Sequence, residues 1–222
     1  MTDLTLHDVF NRTRRAVPDK PCLAESALSG GKVWSYAQVG HEVDALVAHY
    51  GQRGWGPGHR VALGVGNHPR HFFHFLALNR LGVSIVPLNP DYRLGEIRYA
   101  LQLTQADLVV CHPQRHPLLK QAINEDASIQ DTPVISLDAF DAHLPSPRKP
   151  GSANTDPLRA EVAILFTSGT SGRPKGCVLT NEYILGAAAW YRDMGGLLAW
   201  KTGADKLLNP LPVFHMNCSM VS

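Results

Sequence analysis

The chain has 222 residues, 44% of them hydrophobic and 18% charged, a balance that excludes a disordered polymer and allows a substantial core. Its 21 Lys and Arg against 19 Asp and Glu leave a formal net charge of +2, which argues against a dedicated nucleic-acid or other polyanion binder. The 19 Gly and 16 Pro point to many tight turns and at least one functional loop.

Met1-Thr-Asp-Leu-Thr-Leu-His-Asp8 lacks the basic patch and apolar stretch of a secretory leader. No later run approaches a membrane span, so a soluble, cytoplasmic protein is expected. An amphipathic helix is expected over about 4–15, with Arg12, Arg14 and Arg15 on its polar face. Strands are predicted at 60–65, 84–87, 107–111, 133–137 and 161–167, each short, apolar and bounded by turn residues. Helices are predicted between them at 36–53, at 69–81 with Pro69 in the first turn, and at 94–103. This β-α-β-α rhythm implies an α/β fold with a mostly parallel sheet covered by helices. Residues 145–157 hold four prolines among small polar residues and read as a surface connector.

Val162-Ala-Ile-Leu-Phe-Thr167 reads as a buried strand that runs into Ser168-Gly-Thr-Ser-Gly-Arg-Pro-Lys-Gly176. Three glycines let the backbone curl with amides inward, and three hydroxyls, a guanidinium and an ammonium surround the curl without a carboxylate. Such a nest suits phosphate. The sequence Cys177-Val-Leu-Thr180 follows as a second strand, and Thr180 or Asn181 caps a helix through about Arg192 that Gly195-Gly196 stops.

Two rival loops fail by position. A P-loop needs Gly at Pro174 and a hydroxyl at Gly176, and a hydrolase elbow needs Gly at Arg173. Gly64-Val-Gly66 would need Gly at Pro69 to be a dinucleotide fingerprint. His68, His71 and His74 recur every three residues, which spreads them too widely on a helix to share a metal and suits a solvated or half-buried face. Cys22, Cys111, Cys177 and Cys218 form no C-x-x-C pair and are expected to be reduced, mostly buried thiols.

Thr167-Ser-Gly-Thr-Ser-Gly-Arg-Pro-Lys-Gly176 resembles the phosphate loop of the adenylate-forming superfamily of acyl-CoA synthetases, luciferases and peptide-synthetase adenylation domains. It departs by Ser171 where Thr is commonest, which keeps the hydroxyl. Trp34-Ser-Tyr36 is similar to the family's early strand-to-helix junction, and Leu78 to Asn89 to the helix and strand before its conserved turn. Leu211-Pro-Val-Phe-His-Met-Asn217 resembles its acyl-binding motif.

The resemblance implies a two-step ligase: a carboxylic acid and ATP give acyl-AMP and pyrophosphate, and a thiol, usually coenzyme A, then displaces AMP. It implies that Thr167, Ser168, Gly169, Thr170, Ser171, Gly172 and Lys175 bind the nucleotide, with Lys175 also catalytic. Phe214, His215, Met216 and Asn217 are implied to border the acid, with His215 catalytic. Magnesium is implied, its carboxylate ligand in a family motif past residue 222. Phe214-His215 looks like the Phe-His of acyl- and aryl-CoA ligases, where amino-acid-activating members have Phe-Asp; the loop flanks look most like the carnitine and crotonobetaine ligase branch. A structural histidine packed on Phe214 stays open, as do an amino-acid adenylation domain and a nucleotide-binding fragment without turnover. The resemblance further implies that 1–222 is the N-terminal portion of the large AMP-binding domain, incomplete and without the C-terminal lid domain. The acid and the oligomeric state are not legible.

Overall fold

The computed structural model describes residues 5–25, 31–152, 156–167, 173–196, 199–201, 203–208 and 211–215. Helix α1 (Leu6–Ala16) opens on a capping box in which Thr5 and Asp8 satisfy each other's backbone amides. A small antiparallel ribbon, β1 (Pro21–Ala24) with β2 (Val33–Ser35), leads into α2 (Tyr36–Gln52), where Ser35 and Gln38 form a second capping box. The junction at Trp34-Ser-Tyr36 is therefore a strand end whose serine is the helix cap.

The main sheet follows with β3 (Arg60–Gly64), α3 (Pro69–Arg80), β4 (Ser84–Pro87), α4 (Leu94–Thr104) and β5 (Leu108–Cys111). After a short 3₁₀ turn, Pro113–Arg115, come α5 (His116–Asn124), β6 (Val134–Ser136) and α6 (Phe140–His143). The hairpin β7 (Glu161–Thr167) and β8 (Lys175–Thr180) leads to α7 (Asn181–Asp193), capped by the Thr180 hydroxyl. Spatial order is β6-β5-β3-β4-β7-β8. The first five are parallel, and β8 runs antiparallel to β7. Every strand and helix expected from periodicity is present to within about two residues, apart from the helix start at Leu4, which lies outside the described residues.

Alternation along the strands builds a three-layer sandwich. Val61 and Leu63 of β3 join Phe75 and Leu78 of α3 and Tyr50 of α2 on one face. Ala62 faces the other way, with Ile97 and Leu101 of α4 and Leu119 and Ile123 of α5. A third cluster, Phe10, Trp34, Val39, Val43 and Phe73, seats α1 on the outside of α2 and α3. At the N-terminal edge of the sheet Arg60 forks onto Glu161, Nε to Oε1 at 2.8 Å and Nη2 to Oε2 at 2.9 Å, and Nη1 donates to the Thr104 carbonyl at 2.8 Å.

The Pro-rich connector is a surface segment tethered to the loop before β3. Trp55 Nε1 donates to the Pro145 carbonyl, His59 Nε2 to the Lys149 carbonyl, both at 2.9 Å, and the Ser152 amide to the Pro57 carbonyl at 2.8 Å. Two expectations need correction. His71 and His74 are fully buried, because α1 and α2 both pack on α3 and leave it no solvated face in that direction. Among the described cysteines, all free, only Cys111 is buried; Cys22 is half-buried and Cys177, on the terminal strand β8, is exposed. Cys218 lies outside the described residues. Among the described residues no helix is long and apolar enough to cross a membrane.

Candidate functional site

The seven-residue β7 ends at Thr167, and β8 begins at Lys175, and these two residues are the last matched pair of the antiparallel ladder. Thr167 and Lys175, both exposed, thereby flank the Gly- and hydroxyl-rich segment in the hairpin. The Thr167–Lys175 pair lies at the C-terminal edge of the parallel strands, the edge at which open α/β sheets bind ligands. Ser168, Gly169, Thr170, Ser171 and Gly172 lie outside the described residues. The Thr167 hydroxyl contacts the Cys177 sulfur at 3.8 Å. Gly176 has a local packing reason: a Cβ there would stand 3.0 Å from Ile164 Cγ2.

One support of this hairpin has no sequence signature. Tyr99 of α4 donates its hydroxyl to the Pro174 carbonyl at 2.8 Å, and the Arg173 guanidinium sits over the same ring at 5.9 Å from its centroid. Helix α4 thus holds the returning limb of the loop from the opposite side of the sheet to α3.

The second candidate segment also lies over the C-terminal edge. Asn67, on the turn between β3 and α3, accepts the Val213 amide at Oδ1 (2.8 Å) and donates Nδ2 to the Leu211 carbonyl (3.2 Å). Val213 is buried. The His215 amide donates to the Pro212 carbonyl at 3.0 Å, closing a turn that sets the Phe214 and His215 rings 4.4 Å apart. Met216 and Asn217 lie outside the described residues. Only β4 separates β3 from β7, so the strands that carry the two segments are about 10 Å apart. Gly66 explains the glycine before Asn67: its φ of +69° makes the turn, and its carbonyl accepts the His68 amide at 2.8 Å.

His68 and His112, at the ends of neighbouring strands, approach to 6.3 Å between ring centroids. Each uses Nδ1 to accept a backbone amide at a helical start, from Arg70 and Gln114 respectively, which leaves Nε2 carrying the proton. Burial, with His112 and Arg70 nearby, lowers the His68 pKa. Among the described residues no group of three His, Cys, Asp or Glu side chains comes together to hold a metal.

An open α/β sheet with a hydroxyl-, glycine- and lysine-bearing hairpin at its C-terminal edge is the class these observations define. Residues 10–222 match the family described as AMP-binding enzyme, and the chain belongs to that family. Among curated relatives, it is 28% identical over 207 residues to a crotonobetaine/carnitine–CoA ligase of Citrobacter koseri, covering 87% of this chain and 39% of the relative. It is 31% identical over 205 residues to the ligase of the same name from Escherichia coli K12, covering 86% and 38%. The chain therefore spans about two-fifths of the length of these relatives. The fold matches the N-terminal domain of FACL13 from Mycobacterium tuberculosis, with a TM-score of 0.79 at 23% identity over 98% of this chain and 54% of that one. ATP-bound MatB from Rhodopseudomonas palustris matches with a TM-score of 0.72 at 26% identity, over 97% and 42%.

Proposed function

We propose that the chain is the N-terminal portion of the AMP-binding domain of an ATP-dependent acid–CoA ligase. The observation that carries this reading is the framing of the hydroxyl- and glycine-rich segment by Thr167 and Lys175 at the C-terminal edge of the sheet. In the first step a carboxylate oxygen attacks the α-phosphorus of ATP, the bond to pyrophosphate breaks, and acyl-AMP forms. In the second, the sulfur of coenzyme A attacks the acyl carbon and AMP leaves. Charge builds on the pyrophosphate as it departs, and donors held in place beforehand stabilise it without reorganisation. Thr167, Ser168, Thr170 and Ser171 supply hydroxyls, Gly169 and Gly172 amides, and Lys175 a point charge. The donor set of residues 167–176 holds no carboxylate and does not fit magnesium.

Phe214, His215, Met216 and Asn217 border the acid in this reading. His215 offers a hydrogen bond where a carboxylate would be needed to hold an α-ammonium group, which favours an acid without one. The free thiols of Cys22, Cys111 and Cys177 suit a cytoplasmic setting. The relatives' names make carnitine and crotonobetaine the first acids to try.

The test is acid-dependent exchange of pyrophosphate into ATP over a panel of betaine-type, fatty, aryl and amino acids. Lys175→Ala is expected to slow exchange about a hundredfold and His215→Ala about tenfold or more. Run on a full-length protein that carries this portion, silence across the panel defeats the ligase reading, and exchange driven by amino acids alone would transfer it to a carrier-linked adenylation domain.

A further inference from the structure

We propose that Asn67 is a positioning residue that sets the orientation of Phe214 and His215, a role that rests on the ligase reading only in what it does for the acid. Its carboxamide presents an acceptor and a donor side by side, as a peptide unit does, and it uses both on one backbone stretch. Oδ1 takes the Val213 N–H and Nδ2 donates to the Leu211 carbonyl, so the two bonds bracket Pro212. Proline has no N–H of its own to fix that position, and its carbonyl is engaged by the His215 amide. Asn67 therefore grips the first limb of the turn whose far end carries Phe214 and His215.

The grip is rigid from behind. Gly66 bends the chain at φ +69°, the His68 amide returns to the Gly66 carbonyl, and His68 caps α3, so the turn carrying Asn67 is fixed at both ends. An exposed Asn on a turn ordinarily bonds its own neighbours. Asn67 instead reaches residues 144 and 146 positions away in sequence. One side chain on the β3–α3 turn thus ties the segment proposed to face the acid to the same sheet edge that holds the phosphate-loop hairpin. Tyr99 and Asn67 act in parallel, one on each segment, and a change at Asn67 moves acid recognition and leaves the nucleotide side in place.

The test compares the wild-type chain with Asn67→Ala and with Asn67→Asp, which keeps the acceptor and loses the donor. Hydrogen exchange of the Val213 amide is expected to quicken about tenfold to a hundredfold in Asn67→Ala and less in Asn67→Asp, with the α3 amides unchanged as a check on folding. The His215 ring-proton resonances, shifted by the neighbouring Phe214 ring, are expected to move toward free-imidazole values in Asn67→Ala. In turnover by a full-length protein that carries this portion, the apparent KM for the acid rises and that for ATP holds. A Val213 amide and a His215 resonance that ignore the substitution overturn the proposal, as does an equal rise in both KM values. A full-length protein silent in pyrophosphate exchange defeats the ligase reading instead, and the hydrogen-exchange and resonance data on the 222-residue chain still decide whether Asn67 orients the pair.

Discussion

Both ring nitrogens of His71 are buried without a partner among the described residues, and so is Nε2 of His74, whose Nδ1 pairs with the Tyr50 hydroxyl at 3.0 Å. Burial holds His71 down to about 4; burial, reinforced by Arg70 and His71, holds His74 down to about 3. In the unfolded chain both titrate near 6.5. Below that value the unfolded state takes up protons that the folded state refuses, so stability present at pH 7 is lost as pH falls toward 4. Between pH 7 and pH 5 each histidine is expected to cost about 2 kcal/mol, measured by urea unfolding at the two pH values. His71→Phe removes one titrating group and should flatten the dependence by about that amount. An unchanged slope would show that His71 is not held neutral. The burial of these residues was not legible in the sequence, because spacing by three defines a helical stripe without saying what packs over it. Helix α3 is covered by the sheet on one side and by α1 and α2 on the other, so its histidines and Asn79 are inside with the phenylalanines.

At the scale of elements, the strands of the main sheet could be read because each is a short apolar run between turn residues, and β7 combined that pattern with a chemically distinctive exit. Strand β1 escaped, since Pro21–Ala24 is too short and half-exposed to show alternation, and β2 was marked only by the resemblance of Trp34-Ser-Tyr36 to a strand-to-helix junction. Tyr99 and Asn67 escaped for a different reason: their partners are 75 and about 145 residues away, and nothing local marks a side chain that bonds a distant backbone. Tyr99 also yields a test of how α4 serves the hairpin. Tyr99→Phe keeps the ring beneath Arg173 and deletes only the hydroxyl on the Pro174 carbonyl. The loss expected is about 0.5–1.5 kcal/mol in urea unfolding, with a rise in the apparent KM for ATP and none for the acid. If neither stability nor the ATP term moves, α4 is a neighbour of the loop and not its support.

At the scale of the molecule, the sheet has two unlike ends. The β6 end is enclosed by α5 and α6, whereas β8 is the terminal strand on the other side, with Lys175, Gly176, Cys177 and Val178 exposed. After it in the chain, α7 presents Tyr183 and Trp190, with Met194 at its C-cap, and Trp200, Leu207, Leu208 and Leu211 are exposed as well, Leu208 at 89%. A strand edge unpaired among the described residues, beside large apolar side chains, is a template for association, and a net charge of +2 supplies little repulsion against it. The 222-residue chain is therefore expected to bind an apolar dye such as ANS and to self-associate as concentration rises, seen as an increase in weight-average mass by sedimentation. Val178→Lys places a charge in the middle of that edge and should lower both signals. Val33→Lys, in the small ribbon and off the β8 edge, should lower neither. A chain that stays monomeric and dark to the dye across the accessible concentration range would mean that the edge and α7 do not act as one apolar surface. Equal relief by both lysine variants would point to net charge, and not to the β8 edge, as what governs association.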